Sequence, residues 1–225
     1  MGDWIRLTAS DGHEFDAWRA DPEGKPKGGV IVIQEIFGVN EHIRDVTNRY
    51  AADGYLAIAP AIYDRVEPKL ECGYTPDEIA KALEWRAACD LDKVMLDIEA
   101  AADAAAEAGK VGIVGYCWGG TLVFVSCCRL SDKIAAGSGY YGGQIVPHLD
   151  EKVGAPLILH FGENDGGIPL DDVEKIRKAT SGVEVFVYEN TGHGFNCDHR
   201  KDFHAENAAL ALGRTLELFS KHVDA

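Results

Sequence analysis

Four residues have the types and the order that acyl transfer needs: Glu35, Cys117, Asp165 and His193. A thiolate attacks an acyl carbon when a neighbouring base takes the thiol proton and later returns it to the leaving group. An imidazole can be that base near neutral pH, and a carboxylate behind it holds the right tautomer. Each residue alone also fits a plainer role. A cysteine is often simply buried. Asn164-Asp165-Gly166 and Gly192-His193-Gly194 could be ordinary turns, and Glu35 could cap a helix. The order in which they occur, and the elements that must carry them, sharpen the reading.

Cys117 lies in Val111-Gly112-Ile113-Val114-Gly115-Tyr116-Cys117-Trp118-Gly119-Gly120. A β-branched run comes first, then Gly-x-Cys-x-Gly, then a helical run from Thr121. Strand, tight turn and helix is the layout of a nucleophile elbow. Gly115 and Gly119 would let strand and helix approach without Cβ clashes. The central side chain would stand at the carboxyl end of a sheet strand, facing a helix N-terminus. A thiol stands here where most such elbows carry a serine.

The rest of the chain alternates strand and helix. Residues 4–8 and 14–19 read as a hairpin around Asp11-Gly12. Strands are expected at 30–33, 55–59, 111–114, 134–141, 156–161 and 183–188. Helices are expected at 42–52, 76–88, 91–108, 121–129, 169–180 and 204–222, with residues 61–75 irregular. This pattern predicts an α/β fold with a mostly parallel sheet and helices on both faces, in a single domain over residues 1–225. Functional loops in such a sheet lie at the carboxyl ends of its strands. Glu35, Cys117, Asp165 and His193 all fall there, and the last three follow the nucleophile–acid–histidine order of α/β-hydrolases.

Composition narrows the partners. Hydrophobic residues make up 46% of 225, enough for a sizeable core, and the net charge is −15. Such a surface repels phosphate backbones and anionic lipid heads, so neither nucleic acid nor membrane is expected as a partner. There is no apolar run long enough to span a bilayer and no secretory pattern at the N-terminus. The six cysteines form no Cys-x-x-Cys pair. They are read as free thiols in a reducing cytoplasm, with no ligand spacing that points to zinc and no cofactor motif. The expected partner is a small lactone or ester, bound by a monomer or small homo-oligomer.

Gln34-Glu35-Ile36-Phe37-Gly38-Val39-Asn40, Gly115-Tyr116-Cys117-Trp118-Gly119-Gly120, Tyr140-Tyr141-Gly142 and Gly192-His193-Gly194-Phe195 resemble the dienelactone hydrolase family, carboxymethylenebutenolidase-like enzymes of α/β-hydrolase fold. The likeness runs from the first hairpin to the last helix. It implies Cys117 as nucleophile, His193 as base and Asp165 as its orienter. Glu35 would face the thiol and take part in its activation. A carboxylate there raises the cost of forming a thiolate, so the thiol of the free enzyme is expected to be alkylated slowly. The backbone N–H groups of Ile36 and Trp118 would form the oxyanion hole. The family's type reaction opens an unsaturated lactone bearing a carboxylate, in the breakdown of chlorinated aromatics. Well-known members hold that carboxylate with two arginines, one before the elbow and one four residues after the histidine. The second position here is Cys197. Arg86 and Arg200 are the substitutes in reach of those segments, each equally readable as a surface charge. A thiol esterase of different substrate range and a non-catalytic binding protein of the same fold are the alternative readings. Redox chemistry at the adjacent Cys127 and Cys128 is more distant, because neighbouring helical thiols pair only with strain.

Overall fold

The computed structural model describes residues 2–224. The expected hairpin forms from β1 (Asp3–Thr8) and β2 (Glu14–Ala20). The continuous apolar runs become β3 (Gly29–Ile33), β4 (Leu56–Pro60) and β5 (Val111–Tyr116), in which every residue is buried. β6 (Ile134–Tyr140), β7 (Leu157–Gly162) and β8 (Glu184–Tyr188) complete one eight-stranded sheet in the order β1-β2-β4-β3-β5-β6-β7-β8. β2 pairs antiparallel with β1 and β4, and every pairing from β4 to β8 is parallel. Strands covered on both sides read as unbroken hydrophobic runs, which is why these were legible.

The helices are α1 (Glu41–Ala52), α2 (Pro76–Ala88), α3 (Leu91–Ala105), α4 (Trp118–Arg129), α5 (Leu170–Ala179) and α6 (Ala205–His222). Local chemistry sets several of their ends. Thr75 and Glu78 form a reciprocal capping box ahead of Pro76 at the start of α2, satisfying donors that the first turn leaves free. The Ala-rich helix stops at Ala105, short of the expected residue 108. Ala106–Ala108 tighten into a 3₁₀ turn before Gly109, whose φ is 119°.

Adjacent strand residues point to opposite faces, and β6 uses both. Gly137 packs on Cys127 and Val123 of α4, whereas Ser138 bonds Thr215 of α6. α4 and α6 therefore lie on opposite faces. α3 joins α4 through Met95 and Ser126, and α1 joins α6 through the Tyr50 and Phe219 rings. The carboxyl ends of β3, β5 and β7 are left to the loops that carry the candidate site. Two details there differ from expectation. Residues 61–75 contain a 3₁₀ turn, Ile62–Arg65, that places Tyr63 inside. Tyr141 leaves the strand with φ 39°.

Candidate active site

Cys117 joins β5 to α4 with φ 55° and ψ −117°, a conformation that costs a non-glycine residue about 1–3 kcal/mol. The turn is held by its own peptide groups. Cys117 N–H donates to Tyr140 O at 3.0 Å, and Cys117 O accepts from Gly120 N at 2.9 Å. Only glycine fits at position 119, where a Cβ would sit 2.5 Å from Ile33 O. The result is a half-buried thiol at the first turn of α4, next to the end of β3.

His193 comes to this thiol from the loop after β8, and Asp165 from the loop after β7. His193 Nδ1 lies 2.7 Å from Asp165 Oδ2, and Asp165 Oδ1 accepts from Gly167 N at 2.8 Å. The imidazole stands beside the Tyr141 ring, with centroids 5.0 Å apart. Burial alone would lower its proton affinity. The Cys117 sulfur and the Asp165 carboxylate outweigh that and hold the imidazole up at about 10. Nδ1 is occupied by Asp165, so Nε2 is the nitrogen left for proton transfer.

Glu35 follows β3 and is fully buried, and neither carboxylate oxygen has a hydrogen-bond partner. Its charged partner is Arg200, with Nη1 3.7 Å from Oε1. Burial raises the Glu35 carboxyl above its ordinary range, and Arg200 and His193 oppose the rise. The Arg200 guanidinium lies 5.8 Å from the Phe37 ring centre and 5.6 Å from that of Tyr74. Gly194, at φ 78°, makes this possible, because a Cβ there would meet Arg200 Nη1 at 2.7 Å. Of the two candidate arginines, the fold therefore brings Arg200 to the site. Arg86 is half-buried on α2 near Tyr63, and among the described residues no ion pair ties it to Glu35, Cys117 or His193.

The segments of Ile36 and Trp118 are joined through Tyr63. Its hydroxyl donates to Ile36 O at 2.9 Å, and its ring stacks on Trp118 with centroids 5.7 Å apart and planes 15° apart. Tyr63 was not expected at the site, because it comes from the stretch that reads as irregular. Its only sequence signal was an aromatic among the scattered apolar residues Ile62, Val66 and Leu70 of that stretch. A cavity of about 490 Å³ is lined by Tyr63 together with Gln34, Val39, Arg44 and Leu70. It holds none of Cys117, Asp165 or His193, so the catalytic geometry, not cavity size, marks the site.

Known proteins share this arrangement of sequence. The pattern of the dienelactone hydrolase family matches residues 15–223. A Synechocystis sp. protein named "Putative carboxymethylenebutenolidase" is 39% identical over 210 residues, 84% of this chain and 84% of that one. A Pseudomonas putida protein named "Carboxymethylenebutenolidase" is 30% identical over 226 residues, 96% of this chain and 95% of that one. The crystal structure of a "Putative Dienelactone Hydrolase" from Klebsiella pneumoniae superposes with a TM-score of 0.83 at 31% identity, covering 98% of this chain and 100% of that one. A family pattern spanning nearly the whole chain, on a mostly parallel sheet with a cysteine elbow, means that this chain belongs to the dienelactone hydrolase family and is a carboxymethylenebutenolidase-like hydrolase.

Proposed function

We propose that the protein opens a lactone or cleaves a small carboxylic ester through a thioester on Cys117. In this reading His193 Nε2 takes the thiol proton while Sγ bonds to the acyl carbon. The C–O bond then breaks and His193 returns the proton to the departing oxygen, which stays tethered when the substrate is a lactone. Water next attacks the thioester. His193 takes its proton and hands it to the sulfur as the acid leaves. Asp165 holds the tautomer through the Nδ1 bond. The Ile36 and Trp118 N–H groups receive the oxyanion, and Tyr63, which touches both segments, keeps them in register.

Arg200 is the cation offered to a substrate carboxylate. An arriving carboxylate would compete with Glu35 for the guanidinium. Glu35, deprived of its counter-charge in a buried site, would then become the stronger base and take part in activating the thiol. The observation that carries the whole reading is the 2.7 Å Asp165–His193 contact beside a thiol held at φ 55°.

The test is turnover of a neutral activated ester and of a carboxylated lactone by the purified protein. Cys117→Ala should lose about a thousandfold or more in kcat on both. Full activity in that variant would end the thiol mechanism, and no turnover by the native chain would favour a binding protein. Hydrogen bonds to charged groups contribute about 1.5–3 kcal/mol, so Arg200→Ala should raise KM for the carboxylated lactone by about ten- to a hundredfold. The neutral ester should be nearly unaffected. Equal losses on both substrates would make Arg200 structural and leave a neutral-ester hydrolase as the reading.

A further inference from the structure

We propose that Glu35, His42 and Cys197 form a buried, inhibitory site for a borderline-soft divalent cation of the zinc type. The three come from the loop after β3, from α1 and from the loop after His193. One ligand atom of each lies within 4.8 Å of the other two. All three residues are fully buried. Carboxylate oxygen, imidazole nitrogen and thiolate sulfur make a three-ligand set that suits zinc with one position left open.

A second observation points to a ligand. Both Glu35 oxygens and both His42 nitrogens are buried without a hydrogen-bond partner, although such groups are normally satisfied. Asp198 Oδ1 lies 3.3 Å from His42 Nδ1, off the direction of a good hydrogen bond. A small turn of the ring would make that bond, fix the proton on Nδ1 and present the Nε2 lone pair. This is the way a carboxylate prepares a metal-binding histidine. Burial keeps His42 neutral, with its imidazole lowered to about 4. Ligand atoms around a tetrahedral zinc ion lie about 3.3–3.8 Å apart, so the three would close in by at most about 1.5 Å.

Charge and proton balance allow the step. Burial and the Glu35 charge push the Cys197 thiol up to about 12, so it starts protonated. Binding displaces that proton to solvent and forms the metal–sulfur bond. Asp198 is already paired with Arg49 at 2.6 Å. Glu35 and the thiolate then carry two negative charges against three positive ones from Arg200 and the dication, and hydroxide in the open position would balance the remaining one. The chain's net charge of −15 favours cation approach. A bound cation takes the Glu35 carboxylate away from the thiol and from Arg200. The inhibition therefore rests on the role given to Glu35 above, whereas the binding does not.

The experiment begins with Cys117→Ala, which removes the elbow thiol as a competing ligand. Cobalt(II) is titrated into this protein and the thiolate-to-cobalt charge-transfer absorption is read. One equivalent per chain should develop the band. The band should vanish when Cys197→Ala is added, and the affinity should fall at least tenfold when His42→Gln is added instead. No band with Cys117→Ala, or a band that survives Cys197→Ala, overturns the site. The second arm measures zinc inhibition of neutral-ester turnover. Cys197→Ala in the native background should keep turnover and lose at least tenfold in zinc sensitivity. Unchanged sensitivity would place inhibitory zinc at Cys117 and overturn the inhibitory role. If the native chain hydrolyses no ester, the cobalt titration still decides the site.

Discussion

Two buried polar clusters flank the elbow strand's neighbourhood, and they are built on opposite principles. One lies between β6, β7, β8 and α6. His160 Nε2 lies 3.1 Å from Ser138 Oγ and Nδ1 lies 2.8 Å from Tyr188 Oη. Ser138 reaches Thr215 at 2.8 Å, and Thr215 reaches Tyr140 at 2.7 Å and Ala211 O at 3.0 Å. Arg214 closes the outer end on Tyr188 Oη at 2.9 Å. The other lies at the end of β3 and holds Gln34, Glu35, His42 and Tyr141. Each of these has at least one buried side-chain polar atom with no partner. Burial is equal and satisfaction is opposite. A complete network stabilises and specifies packing, whereas a row of unpartnered buried groups is a standing expense that selection keeps only where the groups meet something else. That contrast sets the β3 end apart from the β6–β8 cluster on grounds other than any motif.

Acid should expose the largest effect, and it acts on both clusters. Burial lowers His42 to about 4 and His160 to about 3, against about 6.5 in an unfolded chain. Below pH 6.5 the unfolded chain therefore takes up protons that the native state refuses, so stability falls as pH falls toward those values. Each histidine should contribute about 2 kcal/mol of loss at pH 5 relative to pH 7, and the pair about 4 kcal/mol. His193, held up at about 10, acts in the opposite sense and returns about 1 kcal/mol over the same interval, so urea unfolding at the two pH values should show a net loss of about 3 kcal/mol from the three histidines. His42→Gln should remove about half of the pair's loss with little change at pH 7, since His42 has no hydrogen bond to lose. His160→Gln should remove the other half while lowering stability at pH 7. If both variants behave alike at pH 7, the contrast between the clusters is broken.

A smaller effect should follow from Thr215→Val, which keeps the shape and removes the hydroxyl. Tyr140 Oη and one side of Ser138 then lose their partner, at about 1–3 kcal/mol. Ester turnover should be unchanged, because this cluster holds the scaffold and not the site. A loss of kcat larger than the loss of stability would tie the satisfied cluster to the chemistry. The smallest stability change is expected for Glu35→Gln. It removes a buried charge that makes no hydrogen bond and leaves Arg200 to Asp202 at 3.9 Å, so the saved desolvation offsets the lost ion pair and unfolding should shift by about 1 kcal/mol or less. Turnover should drop by tenfold or more, and its pH profile should change. A strongly destabilised Glu35→Gln with normal kcat would make Glu35 structural after all.

Much of this was legible along the chain, for reasons that are local. The buried strands announce themselves as runs such as Val30 to Ile33, because a strand covered on both faces has no polar side to show. The capping box at Thr75 and Glu78 and the glycine at 109 mark helix ends through bonds within a few residues. The elbow is local too, since Gly115, Cys117 and Gly119 act within one turn. The ordering of Cys117, Asp165 and His193 placed them at strand ends, and the fold does put Asp165 and His193 in contact. The stretch 61–75 was read as irregular because its regularity is tertiary. Tyr63 has its place only through Ile36 and Trp118, which are distant in sequence.

What the chain alone determined was therefore the alternation of elements, the α/β class and the elbow, each written in contiguous side chains and backbone preferences. What only the tertiary structure decided was which distant groups share a space. Arg200 sits three positions beyond Cys197, the place where the family's arginine is expected, yet its guanidinium comes within 3.7 Å of Glu35. That depends on the path of the loop and on Gly194 leaving room for it. Arg86, the candidate on the segment before the elbow, stays on α2, and among the described residues no ion pair ties it to Glu35. Glu35, His42 and Cys197 follow no ligand spacing at all and still converge within 4.8 Å. Spacing rules describe groups carried by one element or one turn. Groups carried by three separate elements are brought together only when the core beneath them packs.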